Sequence, residues 1–102
     1  MSDSISLDDL RLDDFLGHIQ EAVRRIFRYT ENVTKEEFLE NELIQDAVTR
    51  NLEIIGEASG NILAHGYFGV NYTRVWGTIQ QDLPVLQKQI EKMIAEHGHA
   101  QE

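Results

Sequence analysis

The sequence predicts an all-α fold, an antiparallel helical bundle that forms one domain over residues 1–102. Apolar residues recur at spacings of three and four over long stretches, and no stretch alternates between apolar and polar residues as a strand would. A domain of this size hides only about 60 to 65% of the surface that its unfolded chain exposes. We therefore expect apolar helix faces to pair two copies into a homodimer.

The first helix is predicted to begin between Asp8 and Asp13 and to fade at Tyr29. Acidic residues in a first helical turn suit the positive end of the helix dipole. The apolar stripe that defines this helix consists of Leu12, Phe15, Leu16, Ile19, Ala22, Val23, Ile26 and Phe27.

A second helix is predicted to open at Lys35, after a connection over residues 30–34. Thr34 followed by Glu37 has the form of a capping box, in which each side chain pairs with the other residue's backbone N–H. The stripe that follows is the strongest helical signal in the chain: Phe38, Leu39, Leu43, Ile44, Ala47, Val48, Asn51, Leu52, Ile54, Ile55 and Ala58. In register, it continues to Ile62 and His65.

Two discontinuities follow the second stripe. Residues 59–61, Ser-Gly-Asn, are poor helix formers, so we expect weakness or a break there. In the window 65–72, two glycines can take positive φ and Asn71 can cap the next helix.

The last stripe consists of Val75, Trp76, Ile79, Leu83, Leu86, Ile90, Met93 and Ile94. Pro84 interrupts it, and Asp82 stands where it could cap a restarted helix. We expect either a kink or two helices that share a line. Residues 1–7 and 96–102 are expected to be flexible.

Composition excludes several classes of function. The chain has no cysteine, which rules out disulfides, thiolate metal sites and a cysteine nucleophile. No apolar run reaches the ~20 residues of a membrane span, and the N-terminus is acidic with no signal-peptide core, so we expect a soluble cytoplasmic protein. A net charge of −9 argues against a general DNA or RNA binder.

Contact with RNA would therefore have to be local. The one basic cluster is Arg24, Arg25 and Arg28, in which residues four apart share a helix face. This cluster is either such a contact or a solvated face that balances the acidic surface.

His65 and Tyr67 are the candidate chemical groups of the glycine-rich window GNILAHGYFGVNY, residues 60–72. Imidazole titrates near neutral pH and suits general acid or base work, and the tyrosine supplies a hydroxyl. The structural alternative is that His65 ends a helix by bonding a carbonyl, while Tyr67 and Phe68 plug the end of the bundle.

Three stretches, FLENELIQDAVTR (38–50), NLEIIGEA (51–58) and NILAHGYFGVNYTRVWGTIQQDLPVL (61–86), resemble the HepT family of HEPN-domain proteins. These are small helical toxins that are paired with minimal nucleotidyltransferase antitoxins of the MntA type. The family signature is an arginine, four to six residues, and then His-x-Tyr. The sequence His65-Gly66-Tyr67 matches its second half.

The resemblance implies a metal-independent endoribonuclease that needs no cofactor and works as a homodimer, with two catalytic sets facing each other across a cleft. His65 would be the general base toward a ribose 2′-hydroxyl. Tyr67 would accept AMP from the partner enzyme, which silences the toxin. Asn61, one helical turn before His65, either orients the phosphate or is an ordinary polar helix position.

The chain departs from the family pattern at the arginine. Gly60 occupies its position, and no arginine lies between Arg50 and His65. Arg50 is about 22 Å from His65 along one helix, so it cannot substitute within one chain, and Arg74 is a second choice. Family members also carry some twenty further residues where this chain has only residues 59–60.

A rival interpretation follows from that departure. The chain could be a non-catalytic, degenerate HEPN module that only dimerises and binds its nucleotidyltransferase partner. The missing arginine and the charge of −9 favour the rival, whereas the His-x-Tyr match favours the enzyme.

Overall fold

A computed structural model describes residues 7–58 and 71–100, and it describes the side chains of residues 12–57 and 71–96. These residues form an all-α fold, as predicted. The helices are α1 (Leu7–Tyr29), α2 (Lys35–Glu40), α3 (Glu42–Ala58), α4 (Tyr72–Gly77), a π-helix (Thr78–Asp82) and α5 (Leu83–Ala100).

α1 is the central helix of the bundle. It packs against both α3 and α5. The buried core is drawn from all three helices, from α2 and α4, and from the π-helix: Leu16, Ile19, Val23, Ile26, Phe38, Val48, Leu52, Val75, Ile79, Leu83 and Ile90. The predicted stripes therefore supply the core, although some of their members are exposed: Leu12, Phe15, Leu39, Leu43 and Met93.

The connection between α1 and α2 is a short turn closed by its own backbone. Thr30 donates from both its backbone N–H and its hydroxyl to the carbonyl of Ile26, at 3.1 and 2.8 Å. Asn32 has a φ of 61°, a left-handed conformation that asparagine tolerates better than most residues. The chain can thus reverse direction within residues 30–34.

α2 begins at Lys35, as the capping box predicts. The Thr34 hydroxyl accepts from the Glu37 N–H at 3.1 Å, and the Glu37 carboxylate accepts from the Thr34 N–H at 2.9 Å. Because both Thr34 groups favour the ionised form, the pKa of the Glu37 carboxyl lies below its usual range.

The sequence suggested one continuous second helix, but the structure divides it at Asn41. This residue is extended, with φ −108° and ψ 98°, and its Oδ1 accepts from the Ile44 N–H at 3.0 Å. Asn41 therefore caps α3. The Gln45 Nε2 donates to the Phe38 carbonyl at 2.9 Å, which ties the end of α2 to the first turns of α3.

Pro84 does not break the last helix. The π-helix ends two residues before Pro84, and the N–H of Leu83 bonds back to the carbonyl of Thr78, five residues earlier. A proline ring in a regular helix clashes with the carbonyl four residues earlier, here that of Gln80. The helical run nevertheless continues without a break from Tyr72 to Ala100, and Asp82 lies inside it rather than capping a new helix. A wider π turn is a usual way for a helix to accommodate such a disturbance.

No helix in the described ranges is both long and apolar enough to cross a membrane.

Candidate active site

The three predicted site residues, Asn61, His65 and Tyr67, lie outside the described residues, as does Gly60. The structure describes the two ends between which they are placed. α3 is described as far as Ala58, and the next described residue is Asn71. The structure therefore gives the geometry of the two helices that flank the candidate site.

The first of these two ends is the C-terminal part of α3, which packs in the core. Val48 is fully buried and Leu52 is 4% exposed, and both pack in the core against α1. Asn51 is also buried, and its Nδ2 donates to the Ala47 carbonyl at 2.8 Å. A long helix with this much core contact fixes the position at which the chain enters the candidate site.

The second end is fixed by a cap and by an aromatic cluster. Asn71 accepts from the Arg74 N–H at 3.0 Å, which confirms the predicted cap. The fully buried Phe38 meets Tyr72 edge to face at 6.2 Å between ring centroids, and it lies 5.3 Å from the Trp76 centroid. Aromatic pairs in this range add to the hydrophobic gain of burial. α2 thus anchors the start of α4.

Arg74, the second choice for phosphate contact, lies exposed on α4 three residues after the Asn71 cap. Its carbonyl accepts from the Thr78 hydroxyl at 3.1 Å. Arg50 is exposed on α3, eight residues before the helix ends. Within the described part of the chain, no three His, Asp or Glu side chains are close enough together to hold a metal ion.

Sequence reasoning missed a second feature, a groove between α1 and α3. The signal for it was Asn51, an amide inside an otherwise apolar stripe. Asn51 is 3% exposed, and its Oδ1 has no hydrogen-bond partner among the residues described. A buried acceptor without a donor is costly, so this position merits a functional explanation.

Comparison with known protein families shows which family this chain belongs to. A family model described as "Ribonuclease HepT-like" matches residues 19–62 and 59–93, about three quarters of the sequence. The chain belongs to the HepT-like ribonuclease family. The fold is consistent with that family, since the described residues form an all-α, HEPN-like bundle.

Several curated relatives support this assignment. A protein of Thermococcus cleftensis, named as a candidate HepT ribonuclease, is 36% identical over 102 positions, which cover 78% of this chain and 93% of the relative. Two proteins of Methanocaldococcus jannaschii, named as candidate RNases, are 36% and 33% identical and are covered over 84% and 91% of their lengths. No solved structure matches the chain at a significant level.

The HepT-like match also locates a missing stretch. Because 78% of 102 residues is about 80, the alignment of 102 positions leaves about 22 positions of the Thermococcus cleftensis relative without a counterpart in this chain. The two pieces of the family match meet at residues 59–62. The shortening therefore falls where the sequence has only Ser59 and Gly60 between Ala58, at the end of α3, and Asn61.

Proposed function

We propose that this HepT-family chain is the toxin of a toxin–antitoxin pair and cleaves RNA without a metal ion. The observation that carries the proposal is the family match across residues 19–93, which includes the motif His65-Gly66-Tyr67. The names of the relatives, which are those of ribonucleases, support RNA as the substrate.

In the proposed reaction, RNA supplies its own nucleophile. His65 removes the proton from a ribose 2′-hydroxyl while that oxygen attacks the adjacent phosphorus. The bond from phosphorus to the 5′-oxygen breaks, and the leaving oxygen takes up a proton. The products are a 2′,3′-cyclic phosphate and a 5′-hydroxyl end. Asn61 is proposed to orient the phosphate.

The proposal includes silencing by a minimal nucleotidyltransferase. The Tyr67 oxygen attacks the α-phosphorus of ATP, an oxygen–phosphorus bond forms, and pyrophosphate leaves. An anionic AMP group two residues from His65 would obstruct the cleft and repel an incoming phosphate. A homodimer is part of the same proposal, since the family signature implies two facing catalytic sets.

The test is cleavage of an end-labelled RNA in the presence of EDTA. We expect cleavage by the unmodified protein, none by His65→Ala, and none with an RNA that carries 2′-deoxyribose at the cleaved nucleotide. His99→Ala is the matched control, because His99 lies near the C-terminal end of α5, far along the chain from the candidate motif. Cleavage that persists in His65→Ala, or that requires a metal ion, would overturn the proposed mechanism.

A second arm tests regulation. Incubation with the partner enzyme and labelled ATP is expected to label the unmodified protein and Tyr72→Phe, but not Tyr67→Phe. Tyr72 is a suitable control because it packs on Phe38 in the described core. Equal labelling of all three proteins would exclude Tyr67 as the acceptor.

The second candidate function is the non-catalytic module, and Gly60 at the arginine position favours it. Loss of one donor to a charged transition state typically costs about 3 to 4 kcal/mol, or 10² to 10³ in rate. Gly60→Arg is therefore expected to raise RNA cleavage by about that factor, whereas Gly60→Ala, which adds no charged donor, is not. If Gly60→Arg and the parent are both inactive on all RNAs tested, the module is the better description.

A further inference from the structure

Three of the nine lysine and arginine side chains of this chain lie close together on α1: Arg24, Arg25 and Arg28. We call them the arginine patch. All three are exposed, and residues 22–30 contain no acidic side chain. On a chain whose net charge is −9, the patch is therefore a local concentration of positive charge.

Two members of the patch keep their charge available. Arg25 Nε pairs with a carboxylate oxygen of Glu21 at 3.3 Å. Arg24 and Arg28 have no such acidic partner among the described residues. The Arg28 guanidinium lies over the Tyr29 ring, 5.8 Å from its centroid, and a guanidinium stacked on a ring can still donate from its N–H groups. Arg24 and Arg28 can therefore both bind an anion.

Arg24 and Arg28 lie on the same side of α1. They are four residues apart, which is about one helical turn, whereas the buried Val23 and Ile26 face the core. Like charges at this spacing repel each other and disfavour the helix. An anion bound between the two side chains would remove that repulsion, so this face of α1 favours a ligand that carries several negative charges.

Two cavities show which part of α3 lies beside the patch. They lie in the groove between α1 and α3, which we call the α1–α3 groove, and have volumes of about 310 and 320 Å³. The first is lined by His18, Ala22, Arg25, Asn51 and Ile54, and the second by Tyr29, Leu43, Ile44 and Ala47. The two helices are therefore antiparallel, and Arg25 is level with the last two turns of α3.

This arrangement places the patch near the candidate site. α3 is described as far as Ala58, and the patch lies about 10 to 15 Å from that residue along the helix axes. His65 follows Ala58 by seven positions in the sequence. One strand of RNA is long enough to contact the patch and the candidate segment together.

We propose that Arg24 and Arg28 bind phosphate groups of an RNA strand and position that strand for cleavage. Each guanidinium can bind a phosphate through two parallel N–H···O hydrogen bonds. The bond that breaks lies at the segment with His65, so the two arginines are positioning residues and not catalytic ones. The inference rests on the proposed nuclease function and adds a substrate contact outside the His-x-Tyr motif.

Two other anionic partners fit the patch less well. A helix that lies on a membrane surface needs large apolar side chains beside its charges. The large exposed apolar side chains of α1 are Leu12 and Phe15, more than two turns before Arg24. An acidic protein would also need an apolar centre to its interface, and no large exposed apolar side chain of α1 adjoins the patch. A phosphate backbone needs only suitably spaced positive charges.

The first test is binding of a fluorescently labelled single-stranded RNA, measured by anisotropy over a range of salt concentrations. All variants carry His65→Ala, so that the RNA stays intact. Arg24→Gln/Arg28→Gln should raise Kd about tenfold at low salt. The slope of log Kd against log salt concentration should fall by about 1.4, since each phosphate contact with a single strand contributes about 0.7.

Two further variants separate a phosphate contact from other causes. Lys88→Gln/Lys92→Gln removes the same charge from exposed positions four residues apart on α5, and its Kd should stay within about twofold of the parent value. Arg24→Lys/Arg28→Lys keeps the charge and should recover the parent's salt slope and most of its affinity. The melting temperature of Arg24→Gln/Arg28→Gln should not fall, because both side chains are exposed.

The second test is RNA cleavage by the chain with His65 intact. Because the arginines bind substrate and transition state alike, Arg24→Gln/Arg28→Gln should raise KM about tenfold and change kcat less than about twofold. A fall in kcat at unchanged KM would contradict a positioning role.

Several results of the binding test would overturn the inference. They are a parent-like Kd for Arg24→Gln/Arg28→Gln, an equal loss in Lys88→Gln/Lys92→Gln, and a loss of affinity without a change in salt slope. The first of these would leave an acidic protein as the partner of the patch. A protein that binds RNA through the patch but does not cleave it would disprove the proposed nuclease and leave this inference standing, so the two proposals fail separately.

Discussion

Asn41 and Pro84 are two positions in the described helices where an interruption could occur, and the structure treats them in opposite ways. Asn41 lies inside a strong apolar stripe, yet it separates α2 from α3. Pro84 is the only proline in the chain, yet the helix runs through it by means of a π turn. The difference shows that a side chain able to cap a new helix interrupts this bundle more effectively than a missing backbone N–H.

The physical reason is the balance of backbone hydrogen bonds. At Asn41, the side-chain oxygen replaces the bond that the Ile44 N–H would otherwise lose, and Gln45 occupies the Phe38 carbonyl. The break therefore leaves few groups unpaired. At Pro84, the preceding turn widens, so that the Leu83 N–H reaches the Thr78 carbonyl. Continuity there keeps Ile79 and Leu83 in the core.

The largest expected effect concerns the aromatic contact that the break at Asn41 makes possible. Phe38→Ala should destabilise the protein by about 3 to 5 kcal/mol, because Phe38 is fully buried between Tyr72 and Trp76. Urea denaturation followed by circular dichroism measures this. Leu39→Ala is the control, since Leu39 is 39% exposed and should cost far less. Equal losses in the two variants would mean that α2 does not anchor α4.

Much of this architecture could be predicted from the sequence. The capping box at Thr34 and the cap at Asn71 are local patterns that join residues three apart, and both formed as predicted. The break at Asn41 was missed because the apolar spacing continues across it. The break also places Phe38 against α4, a contact between distant parts of the chain that apolar spacing does not show.

The candidate site likewise has one part that the sequence could predict and another that it could not. The motif at His65 and Tyr67 can be read from sequence because its signature is short and specific, whereas its geometry depends on residues outside the described ranges. The α1–α3 groove could not be predicted, because a periodic stripe does not show which of its members another helix covers. Leu43 and Val48 belong to one stripe, yet they are 80% and 0% exposed.

The next expected effect tests the break itself. Asn41→Ala should cost about 1 kcal/mol, the usual value for loss of an N-cap side chain, despite the better helix propensity of alanine. Asn41→Asp should retain most of the stability, because its carboxylate can accept the same bond from Ile44. Thermal unfolding of the three proteins measures both differences. A more stable Asn41→Ala protein would show that α2 and α3 prefer to join.

A smaller effect is expected at the proline. Pro84→Ala in a regular helix interior would gain about 3 kcal/mol, but here the π turn has already relieved the clash. We expect a gain of roughly 1 kcal/mol or less in the free energy of unfolding. Val85→Ala, at an exposed neighbouring position, is the control for a general change in helix propensity. A gain near 3 kcal/mol would mean that the π turn stores the strain rather than relieving it.

The smallest effect is a pH dependence that belongs to the capped end of α2. The Thr34 groups lower the pKa of Glu37 in the folded protein, so its ionised form stabilises the fold above the ordinary glutamate pKa. That contribution is lost as the pH falls through the lowered folded value. The difference in stability between the parent and Glu37→Gln should therefore shrink on acidification from about pH 7 to about pH 3.

Glu36→Gln serves as the control, because Glu36 is exposed one residue earlier and is not the capping-box carboxylate. A pH-independent difference at Glu37, or an equal shift at Glu36, would place the acid sensitivity outside the capping box.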